Sequence, residues 1–307
     1  SRGQTAAVKE LPQLHIMDTW TPMAADKLSR EQRMRALSSL LFLKEKRTGD
    51  IKGRACINGA PQRAYIPKED AASPTVSTES TFITATIAAS EGRRVRCYDV
   101  PSAFVNMDVD EDVIMVLKGE LADMMVQIAP QVYRKYVTVD KKGTPILYVK
   151  LQKALYGLMR ASLLFYRKLR QELEDYGFEV NPYDPCVANK MINGKQMTVC
   201  WHVDDLKLSH KESLVIDTII ASLRAEYEKV GKMTVQRGKV HDYLGMTLDF
   251  SISGKFTVSM EKYLDDVIAK LPDDMNGTAL SPAAEHLFRT RDNTKMLDKE
   301  QAMLFHH

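Results

Sequence analysis

A chain of 307 residues, 44% hydrophobic and 27% charged, is long for one domain and short for two, and it can bury a sizeable core. The 43 basic and 40 acidic side chains leave a net charge of +3, which alone does not mark a nucleic-acid binder. No stretch of eighteen apolar residues suggests a membrane span, and SRGQTAAVKELPQLH lacks the apolar block of a secretory signal.

Residues 29–42 begin as a helix, with Ser29 as N-cap and Gln32 three residues on. LLFLKEKR (40–47) alternates as a strand, Gly49-Asp50 reads as a turn, and IKGRACI (51–57) returns to form a hairpin. A loop punctuated by Pro61, Pro67 and Pro74 follows. Residues 78–90 read as a helix capped by Ser77 or Thr78. RRVRCYDV (93–100) is a strand ending in Asp99, with further strands at 112–117 and 146–151. Leu155, Leu158, Leu163, Phe165, Leu169 and Leu173 recur at helical spacing and predict one long helix over 153–175. MTVCWHV (197–203) and LKLSH (206–210) form a hairpin with Asp204 and Asp205 at its tip. An amphipathic helix covers 213–228. YLGMTLDF (243–250) and KFTVSM (255–260) make a hairpin around Gly254. A helix over 261–271 ends at Pro272, and the tail from 273 is loop-rich. This order is not a βαβ alternation and predicts an α+β fold with an antiparallel sheet.

Cys56, Cys97, Cys186 and Cys200 are scattered without a C-x-x-C pair, which argues against zinc and for a reducing compartment. The sequon at Asn276-Gly277-Thr278 is a chance match in such a protein. Charge is unevenly spread. Residues 99–123 carry seven acids (Asp99, Asp108, Asp110, Glu111, Asp112, Glu120, Asp123) against Lys118, whereas residues 131–170 carry ten Lys or Arg against Asp140. Two solvated faces explain that pattern, and so does a cationic track beside an acidic metal centre. Asp204 and Asp205 pose the same choice. A lone Asp pair is usually a wet turn. If the strands ending in Asp99 and Asp204 are neighbours, three carboxylates meet in an oxygen-rich site suited to Mg²⁺.

Ordered blocks from about residue 36 to 270 resemble the reverse transcriptase of copia-type LTR retrotransposons. KGRACINGAPQ (52–62) resembles its K-x-R-x-x-x-x-G-x-x-Q fingers strand, and EDAASPTVS (69–77) its segment in which E-D is followed after a gap by S-P-V. DVPSAFVN (99–106) resembles the D-V-x-x-A-F-L-N block, and LQKALYGLMRASLLFY (151–166) the L-x-K-x-L-Y-G-L-K-Q helix. HVDD (202–205) stands where Y-V-D-D is usual. YLGMTL (243–248) resembles the F-L-G primer-gripping block, and MEKYLDDVIAKL (260–271) the thumb helix.

The resemblance implies a right-hand polymerase with an antiparallel palm sheet, fingers and a partial thumb. The divisions it implies are 1–35 as an N-terminal extension, 36–95 as fingers, 96–118 as first palm segment and 119–152 as their connection. Palm then covers 153–250, and a thumb truncated before RNase H covers 251–307. Asp99, Asp204 and Asp205 become catalytic carboxylates. They would hold two Mg²⁺ ions, with Mn²⁺ as a substitute and the Val100 carbonyl as a further ligand. Lys52, Arg54, Phe104 and Arg160 would meet the incoming dNTP, with Phe104 as sugar gate. Tyr156, Gly157, Tyr243, Leu244 and Gly245 would contact template and primer. Implied partners are an RNA template, a DNA or tRNA-like primer, dNTPs, and RNase H and integrase domains of the same Pol polyprotein. No membrane is implied, and the setting is a cytoplasmic virus-like particle. The chain reads as a polyprotein fragment with His306-His307 native.

Departures from the family pattern are His202 for Tyr, Met159-Arg160 for Lys-Gln, Ser162-Leu163 for Pro-Arg and Phe165 for Trp. They set a second hypothesis beside the polymerase, a catalytically dead nucleic-acid-binding remnant. A metal phosphohydrolase using the same Asp cluster is a third, without any His-rich dinuclear pattern.

Overall fold

The computed structural model describes residues 10–45, 51–228 and 231–269, with 296–299 and 302. A helix α1 (10–16) leads to strand β1 (Trp20–Met23) and helix α2 (Arg30–Arg35). Ser29 caps α2 in a reciprocal box with Gln32. The helix stops at Arg35, shorter than expected, because the chain extends at once into β2 (Leu37–Glu45). β2 pairs antiparallel with β3 (Ile51–Ile57), while the expected Gly49-Asp50 turn lies outside the described residues. Helix α3 (Thr78–Ser90) is capped by the Ser77 hydroxyl, which accepts from the Ser80 N–H at 3.0 Å.

Next come β4 (Arg94–Asp99), β5 (Ile114–Lys118), α4 (Glu120–Ile128), α5 (Pro130–Tyr133), β6 (Thr138–Val139) and β7 (Pro145–Leu151). Helix α6 is Ala161–Asp175, so the predicted helix over 153–175 loses its first two turns. β8 (Glu179–Val180), β9 (Val187–Ile192), β10 (Lys195–His202) and β11 (Asp205–His210) precede helix α7 (Ser213–Tyr227). The chain continues through β12 (Thr234–Gln236), β13 (Val240–Tyr243), β14 (Met246–Asp249), β15 (Thr257–Ser259) and α8 (Glu261–Ile268). Pro272 and the tail lie outside the described residues.

Three sheets result among the described residues. One is mixed, ordered β1-β7-β5-β2-β3 with β6 on β7, and its β2–β5 pair is parallel. The second, β12-β4-β11-β10-β9-β8, is antiparallel throughout. The third is the antiparallel β13-β14-β15. The α+β expectation with an antiparallel sheet therefore holds.

Side chains alternate across β4. Val95 and Cys97 pack with Ala88 of α3, Tyr243 and Leu248. Tyr98 joins the main core, which also holds Leu169 and Leu173 of α6 and Ile216, Ile220 and Leu223 of α7. A sheet covered on both faces leaves its ends as the places where polar groups reach solvent. Leu11, Leu14 and Trp20 are core residues, and β1 pairs with β7. All four cysteines are buried and free. No helix among the described residues is long and apolar enough to cross a membrane.

Candidate active site

Two neighbouring strands end together. In the β4–β11 register Asp99 is the direct partner of Asp205, and the Val100 N–H donates to the Asp204 carbonyl at 3.0 Å. On its other side Asp99 pairs with Thr234 of β12, an edge strand the sequence did not reveal. His202 pairs with Asp205, so Val203-Asp204 is a two-residue hairpin loop. Val203 sits at φ +54°. A β-branched residue there is strained, by about 1–3 kcal/mol, and the hairpin tip is fixed despite that cost.

Asp99 is exposed, whereas Asp204 and Asp205 are half-buried. Burial raises the Asp204 pKa, and the Asp99 charge adds to it against Arg54 and His202. Asp205 is pushed up to about 6 by burial and by the charges of Asp204 and Asp99. Such mutual repulsion signals a site short of positive charge. The donor set suits a hard divalent cation. Among the described residues no three His, Cys, Asp or Glu side chains are gathered closely enough to enclose a metal ion.

The Tyr156 hydroxyl lies within electrostatic reach of Asp204 and Asp99. Its pKa is pushed up to about 12, by burial first and then by the Asp204 and Asp99 charges. The Arg54 guanidinium stacks over the Tyr156 ring at 4.8 Å. Phe104, on the 3-10 turn Ala103–Asn106, meets it edge-on with centroids 4.8 Å apart. Tyr156 and Gly157 therefore do not start α6. They form a turn held to β3, where the Ile57 N–H donates to the Tyr156 carbonyl at 2.8 Å. Gly157 has φ +91°, and a Cβ there would stand 2.0 Å from the Ile57 carbonyl oxygen. At Gly59 a Cβ would stand 2.0 Å from the Gly157 oxygen. Both positions demand glycine.

Gln62 completes this joint. It is fully buried, accepts from the Met159 N–H at 3.1 Å and donates to Glu111 at 3.3 Å. The sequence block ending in Gln62 contained this residue, but only the fold gives it partners.

Other expected site residues are placed differently. The Arg160 guanidinium pairs with Asp110 at 2.9 Å, and Arg160 is the N-cap residue of α6. Lys52 lies in β3 opposite Lys44. Tyr243 is 3% exposed in the core beneath β4, with its hydroxyl lacking a partner. The predicted strand 243–250 is broken by a turn at Leu244 (φ +52°) and Gly245 (φ +78°), the type I′ pattern of a tight hairpin. Only that turn of the YLG block reaches the surface.

The charge blocks also resolve. Lys150 pairs with Asp112, Lys153 with Asp108 and Arg160 with Asp110, at 2.6–2.9 Å. Three acids of one run thus pair with three cations of the other, and of the acids in 99–123 Asp99 stands at the strand-end cluster.

Adjacent strand-end carboxylates on an antiparallel sheet, beside an arginine and an aromatic pair, fit the class of nucleotidyl-transferring polymerases. The chain belongs to the reverse transcriptase (RNA-dependent DNA polymerase) family, whose model matches residues 28–283, in the form found in copia-type Pol polyproteins. It is 24% identical over 305 residues to the transposon Ty1-BR Gag-Pol polyprotein of Saccharomyces cerevisiae, covering 97% of this chain and 16% of that one. It is 26% identical over 260 residues to the Pol polyprotein from transposon TNT 1-94 of Nicotiana tabacum, covering 82% of this chain and 18% of that one. The chain thus spans about a sixth of the length of these curated relatives. Among solved structures it overlaps apo telomerase from Candida tropicalis at TM-score 0.42 and 8% identity, over 80% of this chain and 51% of that one.

Proposed function

We propose that this domain extends a primer 3′-hydroxyl on an RNA template using dNTPs. The observation that carries the reading is the Asp99–Asp205 register with the Val100–Asp204 hydrogen bond, which brings three carboxylates to one sheet end. In this reading the antiparallel β12–β8 sheet is the palm. The β1–β3 sheet with β5 belongs to the fingers, and α8 opens the thumb. Asp99, Asp204 and Asp205, with the Val100 carbonyl, would hold divalent ions. Such ions, when bound, neutralise charge on the attacking and leaving oxygens.

The chain's own groups do the rest. Arg54, held over Tyr156, offers a fork to the triphosphate, and Lys52 two residues away on the same strand adds a point charge. Phe104 lies under the sugar, where a rigid ring leaves no room for a 2′-hydroxyl. The Leu244-Gly245 turn, with Gly245 exposed and Leu244 half-buried, meets the primer. RNase H and integrase portions of one polyprotein, within a cytoplasmic particle, are the setting this reading assigns.

A catalytically silent nucleic-acid-binding domain is the second reading. It draws on the engagement of Arg160 by Asp110. One assay separates the two. Extension of a DNA primer on RNA with Mg²⁺ is measured for the native chain and for Asp204→Asn. The polymerase reading expects extension that falls at least about a hundredfold in the variant, the scale of losing one electrostatic stabiliser. Binding without extension by the native chain would establish the silent reading instead.

A further inference from the structure

The Tyr156 ring is gripped from three directions. Its backbone is locked to the fingers strand through the Ile57–Tyr156 hydrogen bond and the Gly59–Gly157 contact. The Arg54 guanidinium lies over its ring at 4.8 Å, and the Phe104 ring abuts it at 4.8 Å with planes 63° apart. Phe104 itself rides on a single 3-10 turn whose preceding residue, Ser102, has φ +51°. Buried Ala103 and Val105 anchor that turn, but the Phe104 ring between them is only half-buried against the core, so its exact height depends on the ring it leans against. Tyr156 is the aromatic partner it leans on, and Tyr156 is tied to a strand. We infer that Tyr156 is a positioning residue for sugar selection: it sets the height of the Phe104 ring and so the discrimination between deoxyribo- and ribonucleotides. This rests on the polymerase reading above and gives Tyr156 a role other than template contact.

The test compares kcat/KM for a dNTP and the matching rNTP on one RNA template and DNA primer. Tyr156→Phe keeps the ring and is expected to preserve the selectivity ratio. Tyr156→Leu keeps apolar bulk but removes the ring, and selectivity should relax about three- to tenfold, the scale of one aromatic pair. Tyr156→Trp presses a larger ring on Phe104 and should sharpen selectivity. It also keeps the inference testable should the leucine variant not fold, which thermal unfolding reports. Phe104→Ala is the control. If Phe104→Ala relaxes the ratio while the Leu and Trp variants alter both nucleotides equally, Tyr156 does not position the gate and the inference is overturned. If Phe104→Ala leaves the ratio unmoved, the gate falls and this inference with it. Absence of extension by the native chain is a different failure, that of the polymerase reading.

Discussion

His241 shows what one side chain contributes to the behaviour of the whole. It is 1% exposed on β13, and its ring nitrogens make no hydrogen bond of normal geometry beyond a weak contact with the Gly238 backbone. Burial first, then the Arg96 and Lys207 charges, hold its pKa below the ordinary 6.5. The sign follows from linkage. The folded state keeps the imidazole neutral, while the unfolded chain takes a proton below pH 6.5. Stability is therefore full above that pH and declines as pH falls beneath it. Urea unfolding at pH 7.5 and 5.5 should show this loss, and His241→Phe should flatten it. An unchanged pH dependence in the variant would move the cause elsewhere. The strand-end carboxylates, catalytic in the proposed reading, obey the same physics with another consequence. Asp205, raised to about 6 by burial and its anionic neighbours, is partly protonated in mildly acidic solution. Primer extension should consequently fall between pH 7 and 5, more steeply at low Mg²⁺, because protons and the cation compete for one set of oxygens.

At the scale of elements, the joint between β3 and the Tyr156–Met159 turn is the contact that admits no side chain. Gly157→Ala places a methyl 2.0 Å from a backbone oxygen, and its φ of +91° is closed to most residues. Neither clash is relieved by rotating a side chain, so the loss should exceed about 3 kcal/mol. Gly194→Ala is the comparison. That residue also has positive φ but meets nothing within 4 Å, and it should lose only about 1–2 kcal/mol. Thermal unfolding separates them, at roughly 2–4 °C per kcal/mol for a domain of this size. Equal shifts would mean that the interlock yields. The same joint marks where the sequence stopped being legible. The hairpin tip at Asp204 could be read because apolar strands bracket a polar pair. The Ser29 and Ser77 caps could be read because capping is local. Residues 153–160 were misread because Leu155 and Leu158 have helical spacing, although both are buried from a non-helical segment. The bond that holds that segment joins Tyr156 to Ile57, far away in sequence, and no local period reports it. The Leu244-Gly245 turn was likewise hidden within an apolar run.

Over the whole molecule, the charge pattern was visible in the sequence but its meaning was not. Ten cations in 131–170 suggest a nucleic-acid track, yet Lys150, Lys153 and Arg160 pair with Asp112, Asp108 and Asp110. Lys168 and Arg170 are held by Glu172 and Glu174 of their own helix. A paired cation releases fewer counterions when nucleic acid binds, so a template bound as proposed would feel less charge than the composition advertises. These pairs are largely solvent-facing and stabilise the fold by only about 0–1 kcal/mol each. Removing their acidic partners therefore frees cations without unfolding the domain. The triple variant Asp108→Ala, Asp110→Ala, Asp112→Ala should bind an RNA–DNA template-primer more tightly at low salt. If all three freed cations reach phosphates, the slope of log K against log salt steepens by up to about 2–3. Fluorescence anisotropy across a salt series measures both. An unchanged slope, in a variant that unfolds like the native chain, would show that this face stays clear of the nucleic acid. The duplex path would then run past the sheet end at Asp99 without touching the 131–170 segment.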